Sequence, residues 1–177
     1  MTWEELRDIQ ETGVFSIQSH SHDLHRKVKT SHGMMPVFVA AGKGLYAPPS
    51  GLSWREMVFD DLETSRALIK KHLGVDARFL AWPYGFAGVV LDSVAVSAGF
   101  EATCTLEEGI NAPQPIATAA PYRDRLELKR FTILARTTMR DFRLIMREVP
   151  SSEDTVAGTN EPGGFFGLLD DSELYGP

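Results

Sequence analysis

The chain holds one cysteine, Cys104, in 177 residues. A single thiol excludes an internal disulfide and a zinc site built on cysteines. In Ala102-Thr103-Cys104-Thr105 it reads as a small buried side chain. Positive charge is also scarce. Lys and Arg number 18 against 24 Asp and Glu, a formal net charge of -6. With no basic stripe, that balance argues against nucleic acid as a partner. No apolar run approaches the ~20 residues of a membrane-spanning helix. The opening Met1-Thr2-Trp3-Glu4-Glu5 lacks the basic start and apolar stretch of a signal peptide, so any export signal is expected outside this chain. No internal repeat is present. What remains is ordinary globular material, 43% hydrophobic and 24% charged, in a length that suits one domain with a sizeable core.

Against this background one stretch stands out, Ser19-His20-Ser21-His22-Asp23-Leu24-His25. It holds three of the five histidines. It follows Val14-Phe15-Ser16-Ile17-Gln18, which alternates as a half-buried strand does. Imidazoles at the mouth of a strand can reach into one cleft together, and a hydrolytic metal needs such a set with a position left open for water. A polar loop that happens to carry histidines is the competing reading.

Thr2 and Glu5 form a capping box that starts a helix with Trp3, Leu6 and Ile9 on one face and Gly13 at its end. Residues 26–52 are less regular: 34–39 read as a short strand or a packed loop, the Gly and Pro residues of 42–51 mark a long loop, and His32 reads as a solvated loop residue. A second capping box, Ser53 with Glu56, opens a helix that closes at Gly74. Asp60 and Asp61 lie within it, about 100° apart around the axis, and read as a solvated face. Residues 78–82 read as a buried strand running into Pro83-Tyr84-Gly85. A helix near 87–98, a strand from Phe100 to Leu106, a loop over 112–125 and a strand over 128–134 follow. Glu107 and Glu108 read as solvated loop carboxylates. A final amphipathic helix is expected to turn Met139, Phe142, Ile145 and Met146 inward. Residues 150–177 read as an acidic, poorly ordered tail. Strands alternating with helices, and a site at strand C-terminal ends, mark an α/β protein.

Set in order, Met1-Thr2-Trp3-Glu4-Glu5-Leu6-Arg7, Ser19-His20-x-x-Asp23-Leu24-His25, Pro36-Val37-Phe38-Val39, Phe79-Leu80-Ala81-Trp82-Pro83-Tyr84-Gly85 and Ala98-Gly99-Phe100 with Thr105-Leu106-Glu107-x-Gly109 resemble the polysaccharide deacetylases of the NodB-homology class, carbohydrate esterase family 4. The chain looks most like the branch that de-N-acetylates poly-β-1,6-N-acetylglucosamine of biofilms. The resemblance spans residues 1–149. It implies a distorted (β/α) barrel and metal-assisted hydrolysis of N-acetyl groups on a polysaccharide. It also implies one divalent ion, zinc by default, and a periplasmic or cell-surface location. By the same resemblance His20 and His25 fall on the two metal-binding histidines, and the backbone N–H of Tyr84 on the oxyanion donor. Trp82 and Tyr84 become candidates for stacking on a sugar ring. His22 becomes a substrate contact or a support for a ligand, sharing a face with His20 if the strand continues.

Three departures follow. The family's Thr-Phe-Asp-Asp-Gly motif, source of the catalytic base and third ligand, precedes the histidines and is not in this chain. Asp60 and Asp61 cannot replace it in that order. Ala81 stands where classical members carry an arginine, and no histidine occurs in Leu128-Lys129-Arg130-Phe131-Thr132. The expectation is therefore a partial barrel lacking its first strand, with weak activity in isolation. The alternatives are a glycan-binding remnant that uses Trp82 and Tyr84 without catalysis, and a truncated product with no stable fold. Oligomeric state is not read from the sequence.

Overall fold

The computed structural model describes residues 1–111 and 125–148. Residues Met1–Thr137 form one compact unit and Thr138–Pro177 a second. The expected loop at 112–125 lies almost wholly outside the described residues, and the tail at 150–177 wholly so.

Helix α1, Trp3–Glu11, begins at the capping box of Thr2 and Glu5. It docks on the end of the long helix α3, Trp54–Leu73. Trp3 stacks on His72 with ring centres 4.5 Å apart. Arg7 Nη2 donates to His72 O at 2.9 Å, and Gln10 Nε2 to Leu73 O at 3.3 Å. These bonds satisfy carbonyls that the last turn of a helix leaves without partners. At its other end α3 carries the Ser53 and Glu56 box, and Gly74 closes it at φ 74°, the left-handed cap that glycine adopts without a Cβ penalty.

Between these helices the sequence reading is corrected. Strands β1, Lys27–Thr30, and β2, Gly33–Pro36, form an antiparallel hairpin, and helix α2, Val37–Gly42, follows at once. The hairpin turns on Ser31 and His32, with Gly33 at φ 95°. Each strand is four residues long, too short for periodicity to declare. Helix α2 buries Val37, Phe38, Ala40 and Ala41.

The sheet that positions the site is parallel. Strand β3, Phe79–Ala81, pairs with β4, Ala102–Cys104. Ser19 adds a bridge outside β3, and Leu128 one outside β4, both parallel. Across this array α3 links Ser19 to β3, and α4, Val89–Ser97, links β3 to β4, as the crossover of parallel strands requires. Among the described residues these four segments make an arc and no closed barrel. The expected strand at 14–18 reduces to the single bridge at Ser19, with Val14 and Phe15 left exposed. Gln18 compensates, its Oε1 accepting from the backbone N–H of both Arg78 and Phe79 at 2.9 Å. The expected strand at 128–134 likewise shrinks to the bridge at Leu128. The core lies between arc and helices, around Phe38, Val58, Leu62, Leu80, Trp82 and Phe100.

Helix α5, Met139–Glu148, belongs to the second unit. Thr138 and Asp141 cap it reciprocally. Met139, Phe142 and Met146, expected inward, are exposed in the structure. No helix among the described residues is long and apolar enough to cross a membrane.

Candidate active site at the strand ends

Because all four segments run the same way, their C-terminal ends share one rim. His20 follows the Ser19 bridge, and Pro83-Tyr84-Gly85 follows β3. The backbone fixes this alignment: Ser19 N–H donates to Phe79 O at 3.2 Å, Ala81 N–H to Ser19 O at 3.0 Å and Trp82 N–H to Cys104 O at 3.0 Å. Ser21, at φ 74°, then turns the chain away from the strand direction. The strand does not continue through His22, so the alternation that would set His22 beside His20 does not apply. His22 is exposed, and its backbone N–H is taken by Asp61.

His20 and His25 meet with ring centres 4.9 Å apart and planes at 45°. His20 Nδ1 lies 2.7 Å from Ala81 O. A carbonyl can only accept, so Nδ1 carries the proton and Nε2 presents its lone pair outward. Packing of the ring is the largest cause lowering the His20 pKa. The neighbouring His25 and Arg130 lower it further, against the pull of Ala81 O. His20 thus favours the neutral form that can bind a metal. His25 stacks on Tyr84 at 4.3 Å with planes at 17°. Tyr84 Oη donates to His25 O at 3.4 Å, and Lys27 Nζ sits 5.2 Å from the Tyr84 ring centre.

Two imidazoles on one tetrahedral ion, with nitrogens about 2 Å from it, place their ring centres about 5 Å apart. The His20–His25 pair therefore fits a divalent ion, and the Ala81 carbonyl gives His20 the outer hydrogen bond that orients a ligating imidazole. Among the described residues no group of three or more His, Cys, Asp and Glu side chains could hold a metal.

Tyr84 itself stands at φ 56° and ψ 14°, inside the short turn Pro83–Gly85. Gly85 follows at φ 68°, and a Cβ there would come within 2.9 Å of Leu106 Cβ and N. Glycine is required at that close approach.

Trp82 does not meet its expectation as a sugar platform. It is 0% exposed, packs near Phe38 with ring centres 6.1 Å apart, and donates Nε1–H to Asp92 at 2.9 Å. A ring with no free face cannot stack on substrate. Asp92, 2% exposed on α4, also accepts from Thr103 Oγ1 at 2.8 Å.

Three residues near the rim escaped the sequence reading. Asp61, expected on a solvated face, is half-buried and accepts the backbone N–H of His22 at 2.9 Å and of Asp23 at 2.6 Å. Burial raises its pKa, partly offset by those two donors. Ser65, one turn further along α3, meets Ser19 Oγ at 2.7 Å. Arg130 donates Nε–H to Thr105 O at 2.7 Å, and its charge reaches both His20 and Cys104. Cys104 is half-buried, and burial pushes its thiol up despite Arg130. It is a spacer in the strand rather than a nucleophile. Glu107 is exposed as expected and pairs with Lys129 at 2.6 Å.

The parallel arc, crossover helices and rim histidines define an α/β protein with a strand-end site. A polysaccharide deacetylase family model matches residues 1–103, and the chain belongs to that family. The BpsB deacetylase domain of Bordetella bronchiseptica is 35% identical and superposes with a TM-score of 0.54 over 62% of this chain and 43% of its own length. IcaB of Ammonifex degensii is 25% identical, with a TM-score of 0.54 over 77% of this chain and 49% of its own. A de-N-acetylase of Aggregatibacter actinomycetemcomitans shares the fold at 23% identity, with a TM-score of 0.61 over 82% of this chain and 53% of its own. The chain thus spans about half the length of these structures. No curated protein matches it.

Proposed function

We propose that this chain carries the histidine and oxyanion side of a de-N-acetylase site acting on an N-acetylglucosamine polymer outside the cytoplasm, with poly-β-1,6-N-acetylglucosamine as the substrate. The observation that carries the reading is the His20–His25 pair beside the Tyr84 turn at one strand-end rim. Membership of the polysaccharide deacetylase family and the likeness to the BpsB deacetylase domain support it.

In this reading His20 and His25 hold a divalent ion, zinc by default. When bound, such an ion polarises the acetyl carbonyl and makes water acidic enough to attack near neutral pH. Ala81 O keeps His20 Nε2 turned toward the site. The Tyr84 N–H stabilises the oxyanion that forms on the acetyl oxygen, a donor of this kind contributing about 3–4 kcal/mol. Acetate leaves and an amine remains on the sugar. Asp61 is engaged by the histidine loop and is not assigned as the base. With no third ligand among the described residues, the 177-residue chain by itself is expected to turn over slowly. Burial of Trp82 removes one of the two aromatics on which a binding-only reading relied.

The test is acetate release from an N-acetylglucosamine oligomer by the purified chain, with zinc and with a chelator. Slow release that stops on chelation and in His20→Ala is expected. Release indifferent to both would refute the assignment.

A further inference from the structure

The geometry points to Asp61 and Ser65 of α3 as positioning residues that template the histidine loop. This rests on the proposal that His20 and His25 are ligands. The two residues are four apart on one helix, so they present a single face. Ser65 Oγ meets Ser19 Oγ at 2.7 Å, and Ser19 Oγ in turn accepts from Ser21 N–H at 3.1 Å. Both serines that meet are buried, Ser19 at 2% and Ser65 at 6% exposure. Asp61 takes the N–H groups of His22 and Asp23 through separate oxygens. The loop between the two histidines is therefore held before it by Ser65 and in its middle by Asp61.

The arrangement has a physical purpose. Ser21 sits at φ 74° without being glycine, a strained conformation that reverts unless neighbours hold it. Three consecutive residues, Ser21, His22 and Asp23, spend their backbone N–H groups on Ser19 and Asp61 instead of a strand ladder. A carboxylate accepting two N–H groups makes stronger bonds than a neutral acceptor. Without the clamp, His20 keeps its bond to Ala81 and His25 its stack on Tyr84, but the backbone that joins them loses the acceptor of two N–H groups. The clamp orders the loop between the two imidazoles.

Asp61→Asn tests this with little change of shape. One amide oxygen can still accept one N–H, while the NH₂ meets the other N–H as a mismatched donor. In the isotope-labelled 177-residue chain, backbone exchange at His22 and Asp23 should quicken about tenfold or more while the α3 amides keep their protection. Zinc alone, titrated into the same variant, should bind about three- to tenfold more weakly, because the loop must be ordered before both imidazoles reach one ion. Ser65→Ala, a second and milder variant, should quicken exchange at Ser21 and weaken zinc less.

Unchanged exchange at His22 and Asp23 in Asp61→Asn would overturn the clamp. So would faster exchange spread evenly over the domain with a matching fall in thermal midpoint, since that marks general loss of stability. Zinc binding as strong in His20→Ala as in the wild type would sink the ligand assignment. The exchange measurement needs no metal and decides the clamp in that case too.

Discussion

Asp92 offers the sharpest test of how the rim is supported. Its Oδ1 accepts from two donors of zero exposure, Trp82 Nε1–H at 2.9 Å and Thr103 Oγ1–H at 2.8 Å. One donor stands at the end of β3, the other in β4, so a single carboxylate on α4 ties both strands beneath the Tyr84 turn. Asp92→Ala strips both donors of their acceptor in a site closed to water. A buried donor left unpaired costs about 1–3 kcal/mol. Two of them in one network, less the relief from no longer burying a carboxylate, amount to about 3–4 kcal/mol. That is a large share of the ~5–15 kcal/mol that stabilises a domain. Asp92→Asn keeps an oxygen for both donors and should cost only about 1 kcal/mol. Trp82→Phe keeps most of the ring volume, removes one donor and should cost about 1–2 kcal/mol. The decisive measurement is the cycle. In the Asp92→Ala background the indole bond is already gone, so Trp82→Phe should add little, a coupling of about 1–2 kcal/mol. Urea unfolding followed by far-ultraviolet dichroism reads all four chains without relying on tryptophan fluorescence, and m should not change. Strict additivity, or a cost below about 1 kcal/mol for Asp92→Ala, would show that Asp92 does not tie the strands together.

Gly85→Ala adds a Cβ 2.9 Å from the Leu106 backbone N at φ 68°. The turn must shift, and acetate release should fall about tenfold or more as the Tyr84 N–H moves; undiminished release would detach that turn from catalysis. Gly99→Ala at φ 88° drives a Cβ into the Arg66 guanidinium, which is pinned to Ala77 O at 3.1 Å and Ala98 O at 2.5 Å. A loss of about 1–3 kcal/mol is expected in thermal unfolding, and an unchanged midpoint would mean that Arg66 gives way at no cost. Burial first, then the hydrogen bond and charge of Asp92, raise the Glu127 pKa above its ordinary 4.5. The folded chain then holds that proton more tightly, so this contribution to stability is full below 4.5 and is lost as pH rises through the folded value. Glu127→Gln should flatten the stability profile above pH 4.5 relative to wild type, and an identical slope would contradict the pairing with Asp92.

Features set by three or four neighbouring residues were legible in the sequence. Both capping boxes and the Gly74 stop form as read, because each needs only its own turn of helix. Strand lengths were not legible. Residues 14–18 alternate correctly, yet a strand needs a partner along its whole length, and β3 lies beside this segment only at Ser19. The hairpin of residues 27–36 was missed for the opposite reason. Its strands are too short to show a period, and cross-strand pairing, from Lys27 with Pro36 to Thr30 with Gly33, holds it.

The site divides along the same line. Three histidines in one turn suggest a shared cleft, and the family resemblance singles out His20 and His25, whose rings lie 4.9 Å apart while His22 stays outside. Asp61 could not be assigned that way. The angle between neighbouring helix positions separates Asp60 from Asp61, and the structure leaves Asp60 exposed while Asp61 turns inward. Which of two diverging carboxylates meets the histidine loop depends on how α3 lies against the strand ends, a matter of packing rather than spacing. Trp82 shows the converse error. A strand-end aromatic beside Tyr84 looks like a sugar platform until Asp92, ten residues later on α4, supplies a buried acceptor for its indole. Asp61, Ser65 and Asp92, which hold the loop and strands in place, are ordinary helix residues until the fold gives them partners.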